Sequence, residues 1–195
     1  MQTLLASRLS RQRARCRKRV YGDFMANAVL LILCSMEKWR KQTIYFGEMI
    51  FSWAAAVALL AASSHLHAKY RVALFAGGFV AWTLAEYAVH RFVLHNLAPK
   101  EHGLHHAHPD EAVTRIFWQI WICFGLVGLL AGGAFLSGAL VAYSWYLFAH
   151  YAAHQSPGIL PTSLLRHHVS HHKIATQNFG VSTTFWDRIF RTMLK

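Results

Sequence analysis

Three apolar runs after residue 43 decide the architecture: Ile44 to Ala62, Val72 to Val89, and Phe117 to Ala153. The first two are each long enough for a helix that crosses a hydrocarbon core, and Ser63 to Arg71 (SSHLHAKYR) is the polar turn between them. As a single helix the third run would be roughly 55 Å long against a core of about 30 Å, so it must fold back. Gly132, Gly133, Ser137 and Gly138 mark the bend. The expected fold is all-α and integral to a membrane, with four transmembrane helices in two hairpins over residues 44–195. Residues 1–43 are expected to form a basic N-terminal arm and an interfacial helix, because the apolar run Phe24 to Met36 is too short to span. Met36-Glu37-Lys38 also lacks the small-residue pattern of a leader cleavage site.

Four spans place both termini on one side, and charge checks this independently. Ten of the 20 Lys and Arg residues precede residue 44, three (Arg91, Lys100, Arg115) fall in 90–116, and five follow residue 155. Only Lys69 and Arg71 lie in the 63–71 turn. The positive-inside rule assigns the richer side, with both termini, to the cytoplasm. Much of the net charge of +12 is the arm ahead of the apolar runs, which suits anionic lipid headgroups better than nucleic acid. Cys16, Cys34 and Cys123 form no CxxC pair. They are expected to be reduced and mostly buried, without a disulfide framework or thiolate ligation.

Histidine is the compositional outlier, with 14 of 195 residues. Ten of them fall in four clusters on the expected cytoplasmic side: His90 and His95 (HRFVLH), His102, His105 and His106 (HGLHH), His150 and His154 (HYAAH), and His168, His171 and His172 (HVSHH). On a helix the HxxHH spacing puts three rings on one face within about 6 Å of rise, so each triplet is suited to cap one metal. His150 and His154 also share a face and can join the two triplets. His90 and His95 diverge by roughly 140° on an ideal helix, so either the helix breaks there or the two serve different metals. Pro99 and Pro161 suit helix starts, and Pro109 suits a stop, which places both triplets on short helices outside the bilayer. Ten imidazoles exceed the needs of one ion, so a two-metal site is the economical reading; imidazole suits zinc, iron, copper or nickel. His65 and His67 are expected to be solvated turn residues, and His108 and His167 to flank ligands without ligating.

From about Glu86 to the C-terminus the chain resembles the fatty acid hydroxylase/sterol desaturase superfamily of membrane di-iron oxygenases. EYAVHRFVLH followed by HGLHH is most similar to the fatty acid 2-hydroxylase branch, and Asn178 to Phe190 (NFGVSTTFWDRIF) resembles that branch's tail. The resemblance implies a helical cytosolic cap and the ten clustered histidines as ligands of two iron ions, which zinc can replace in a purified form. It also implies O2-dependent hydroxylation of an acyl chain of a lipid drawn from the bilayer. The electron-carrying haem domain of some relatives is absent from these 195 residues, so the expected donor is a separate ferredoxin or cytochrome-b-type protein. Two positions depart from the branch: Leu147 stands where an acidic residue is common, and Arg191 where the tail usually has glycine. Glu86, one turn before His90, and Asp187 are the candidate carboxylates for orienting ligand imidazoles; Phe185 and Trp186 read as interfacial anchors. The same metals would also serve a desaturase or a sterol or carotenoid hydroxylase. The alternative from another class is a non-catalytic metal-binding membrane protein.

Overall fold

The computed structural model describes residues 24–109 and 118–194. The arm over 1–23, with Cys16, and Arg115 lie outside them. Contacts divide the chain into two compact units, Met1–Thr43 and Ile44–Lys195, and all 14 histidines belong to the second. The elements are α1 (Phe24–Ala62), α2 (Ala68–Ala88), a π-helical turn (Val89–Leu94), α3 (Pro99–Ala107), α4 (Trp118–Ala131), α5 (Gly133–Gln155), α6 (Thr162–Lys173) and α7 (Phe185–Ile189), with no strand among the described residues.

The second unit is built around α5, whose small residues let its neighbours approach closely. A Cβ on Gly78 would stand 1.9 Å from the Phe135 carbonyl oxygen, and one on Gly138 1.9 Å from that of Phe75. The α2–α5 crossing therefore exists only with glycine at both places, which is how helices associate where the hydrophobic effect cannot drive them together. Gly78 lies against Phe135 and Ala139, while Trp82 meets Tyr143 at 4.9 Å between ring centroids. The two helices thus run parallel and deliver their histidine-bearing C-terminal ends to the same place. The part of α1 beyond Ile44 runs antiparallel to α5: Ser137 donates to the Ala56 carbonyl at 2.7 Å, Tyr143 to Glu48, and Tyr45 to the Leu147 carbonyl.

The expected fold-back occurs at Gly132, whose φ of +83° is a left-handed conformation that glycine adopts without strain. Ser137 and Gly138 instead lie within α5, where they make contacts between helices. Two helices, Trp39–His65 and Ala68–Leu94, are long and apolar enough to cross a membrane, and Trp118–Ala131 is a shorter apolar helix. Large apolar side chains face outward on these helices; Leu129 and Leu130 are 84% and 87% exposed. Alanine, glycine and serine supply most of the buried positions of α5, beside Leu136, Leu140, Tyr143 and Leu147. This is an inverted arrangement suited to a hydrocarbon surround. Cys123 departs from expectation, because it lies on the exposed face of α4 rather than buried.

Candidate metal centre

Both cap helices begin at their prolines: α3 has Pro99 at its first turn, and α6 starts directly after Pro161. Pro109 follows the end of α3 at Ala107. Together with the ends of α2 and α5 they gather all ten clustered histidines into two groups of five. One is His90, His95, His102, His106 and His171; the other is His105, His150, His154, His168 and His172; within each, one nitrogen per ring lies within 4.8 Å of the others.

The grouping differs from one triplet per metal. Each HxxHH helix serves both groups: α3 gives His102 and His106 to the first and His105 to the second, while α6 gives His168 and His172 to the second and His171 to the first. The reason is angular. Residues four apart lie about 40° apart around a helix, whereas the middle histidine lies about 100° from its immediate neighbour. The groups are contiguous, with His106 and His172 stacked at 4.4 Å between centroids.

His90 and His95 also resolve differently from either alternative. The helix neither breaks nor splits the pair; it widens into the π turn Val89–Leu94, whose i→i+5 pattern brings residues five apart onto one face. The two rings stack at 5.2 Å with 24° between planes.

The nitrogens are too crowded to be satisfied by hydrogens alone. His90 Nδ1 donates to the Phe179 carbonyl and His171 Nδ1 to that of Gln177 at 2.7 Å, so the Nε2 atoms of both neutral rings carry lone pairs. His102 Nε2 lies 3.0, 3.1 and 3.1 Å from the Nε2 atoms of His90, His95 and His106, and a single proton serves only one such contact. In the second group His105 Nε2 is 2.9 Å from His150 Nε2, and His168 Nε2 is 2.9 and 3.2 Å from those of His154 and His172. Burial, reinforced by neighbouring imidazoles, depresses His102 and His172 to about 3 and His105 to about 2. The rings therefore remain neutral at pH 7, the state a metal ligand requires. Convergent lone pairs of this kind fit two cations that share ten nitrogens.

The two candidate carboxylates do not touch the clustered imidazoles. They hold the segment 177–182, which does. Glu86 accepts from the amides of Val181 (2.7 Å) and Ser182 (3.1 Å) and from the Ser182 hydroxyl. Asp187, fully buried, accepts from the amides of Phe179 (2.9 Å) and Gly180 (2.7 Å), from Thr192 Oγ1 (2.7 Å) and from His167 Nε2 (3.0 Å). Burial alone would raise the Asp187 carboxyl, but these donors hold it below its usual range. Gly180 has no room for a side chain, since a Cβ would stand 2.1 Å from the Thr183 carbonyl oxygen. The two acids thus fix the backbone whose carbonyls aim His90 and His171. Backbone acceptors carry no side-chain signature, so the sequence did not reveal them; nor did it reveal that His167 pairs with Asp187.

The remaining residues are placed as follows. His65, His67 and His108 are exposed. Trp186 donates to Thr83 Oγ1 at 3.0 Å, while Phe185 is exposed. Leu147 packs in the apolar core against α1, so no carboxylate approaches the histidines from that position. Arg191 adopts φ of +56°, the conformation for which glycine is the usual residue.

The fatty acid hydroxylase family pattern matches residues 75–192. The chain is 30% identical over 142 residues to the dihydroceramide fatty acyl 2-hydroxylase FAH2 of Arabidopsis thaliana, covering 62% of this chain and 60% of that protein. It is 33% identical over 145 residues to the fatty acid 2-hydroxylase of Homo sapiens, covering 62% of this chain and 39% of that protein. The solved structure of full-length scs7p, in which only the hydroxylase domain is visible, superimposes with a TM-score of 0.62 at 27% identity, over 80% of this chain and 66% of that one. The chain thus spans less than two thirds of these curated relatives' own lengths.

Proposed function

The chain belongs to the fatty acid hydroxylase family, and from that premise we propose that it hydroxylates the acyl chain of a membrane lipid, at the carbon next to the acyl carbonyl. The observation that carries this reading is the pair of five-histidine groups at one end of an apolar helix bundle. The ten histidines would hold two iron ions, which supply the dioxygen-activating redox chemistry that an unactivated C–H bond demands. The balance is R–H + O2 + 2 e⁻ + 2 H⁺ giving R–OH + H2O. The electrons come from a separate ferredoxin or cytochrome-b-type donor.

The chain's own contribution is orientation and exclusion of water. Neutral rings offer lone pairs, the segment 177–182 fixes two of the rings, and the outward apolar surface admits substrate laterally from lipid. In this reading α4 and α5 form the second membrane hairpin, and the histidine end faces the cytoplasm, the side on which most Lys and Arg residues lie. The test is expression in a host that lacks hydroxylated lipids, followed by lipid mass spectrometry. Acyl species heavier by one oxygen are expected; a new double bond without them would refute hydroxylation.

A further inference from the structure

We propose that a cavity of about 400 Å³ walled by Arg91, His95, Asn96, Thr176 and Phe179 seats the polar head of the acyl substrate, with Arg91 gripping an acyl carboxylate or carbonyl oxygen. The proposal rests on the hydroxylase reading and names the substrate chemistry of that site. Oxidation next to the acyl carbonyl leaves one carbon–carbon bond between the reacting carbon and the head, so whatever holds the head must adjoin the metal ligands. This cavity does: His95 belongs to the first histidine group, and Phe179 supplies the carbonyl that holds His90.

Arg91 is set in advance for this task. Because the Asp187 carboxylate only accepts, Thr192 Oγ1 donates to it at 2.7 Å and must in turn accept from the Tyr87 hydroxyl at 2.9 Å. Tyr87 then accepts from Arg91 Nη1 at 2.9 Å. One guanidinium N–H is thereby anchored, and the remaining donors of the fork stay available. The charged head lies 4.9 Å from the Phe92 ring centroid and 5.7 Å from that of Phe179, and no ion pair joins it to a carboxylate among the described residues. Asn96 spends its amide hydrogens on the carbonyls of Arg91 and Phe92, and Thr176 adds a hydroxyl to the wall. No acidic residue lines the cavity. A cationic fork with a hydroxyl and aromatic edges matches a planar, acceptor-rich acyl head.

The experiment measures equilibrium binding of three radiolabelled probes to the metal-loaded protein in zwitterionic nanodiscs: palmitate, an N-palmitoyl amide, and hexadecanol. Arg91→Gln should weaken palmitate about 10- to 100-fold and the amide by about tenfold, leaving hexadecanol unchanged, and Arg91→Lys should restore part of the loss. The larger of the first two losses identifies the head that the site prefers. Thr176→Val, which removes no member of the Asp187–Thr192–Tyr87–Arg91 chain, should weaken palmitate about threefold or more at an unchanged melting temperature. Equal loss for all three probes, or none for any, overturns the proposal. If Arg91-dependent palmitate binding is present but the wild type never oxidises a lipid, the hydroxylase reading fails while the head site stands; hydroxylation without Arg91 dependence sinks the head site alone.

Discussion

Asp187→Asn replaces one oxygen of a buried carboxylate and should loosen the first histidine group without altering a histidine. Asp187 accepts four hydrogen bonds, two on each oxygen. An amide nitrogen at the Oδ2 position would face the Gly180 N–H and His167 Nε2. A tautomer change lets His167 accept from it, but the Gly180 amide is left unpaired, and the negative charge is gone from every remaining bond. One unpaired buried amide costs about 1–3 kcal/mol, and a lost charge-assisted bond about 1.5–3 kcal/mol. A total of about 2.5–6 kcal/mol is a large share of a typical domain's stability. The Phe179 carbonyl would then hold His90 less firmly, and the loss of such orienting partners typically weakens metal binding 10- to 100-fold. Hydrogen exchange should accelerate at the Phe179 and Gly180 amides, and metal retained after dialysis, measured by plasma mass spectrometry, should fall toward one ion per chain. Adding His105→Ala should remove the remaining ion, whereas adding His106→Ala should change little further. Full metal content with unchanged exchange would refute the idea that Asp187 acts through the 177–182 backbone.

Among the histidines, His106→Ala or His171→Ala should abolish activity and lower metal content while exposed His65→Ala leaves both intact; equal loss in all three would contradict the grouping. Gly138→Ala should collapse the α2–α5 crossing, since its Cβ would stand 1.9 Å from the Phe75 carbonyl oxygen; a melting temperature within a few degrees of wild type would show that the crossing yields. Arg191→Gly should stabilise the protein by up to about 1 kcal/mol by removing a side chain from a left-handed position, read as a rise in the chemical-denaturation midpoint. The metal-free protein should lose stability on acidification. His105 is held to about 2 against about 6.5 in an unfolded chain, so its contribution is complete above pH 6.5 and is lost as pH falls from there toward 2. Melting temperatures between pH 8 and pH 5 check this, and a flat profile would mean that the folded rings accept protons.

Local rules made much of the site legible, and its failures have physical causes. Pro99 and Pro161 announce helix limits through proline's restricted backbone and Gly132 through glycine's freedom at positive φ, and the histidine clusters announce themselves by type and spacing. The assignment of rings to groups was not legible, because a common helix face is too coarse a description: 100° between His105 and His106 is enough to direct them to different groups. His90 and His95 defeated ideal-helix geometry because tertiary contacts selected a π turn that no local propensity signals. Glu86 and Asp187 are legible as candidate carboxylates, but their action through the amides of 179–182 is not, because that segment lies far along the chain from Glu86 and His90 and the bonds are made by backbone. The exposure of Cys123 is not legible because an apolar neighbourhood signals burial in water, whereas on a helix such as α4 the apolar face points outward.

The π turn at Val89–Leu94 also bears on how this chain can tolerate changes in length. A helix that gains one residue can absorb it as such a bulge, with both flanking segments still in their original rotational phase. HRFVLH therefore corresponds to an i, i+4 histidine pair with one residue inserted. Deleting Phe92 or Val93 would return the pair to ordinary i, i+4 spacing while leaving Asn96 and the entry to α3 in their present rotational phase, so the site should tolerate that deletion better than one elsewhere in α2.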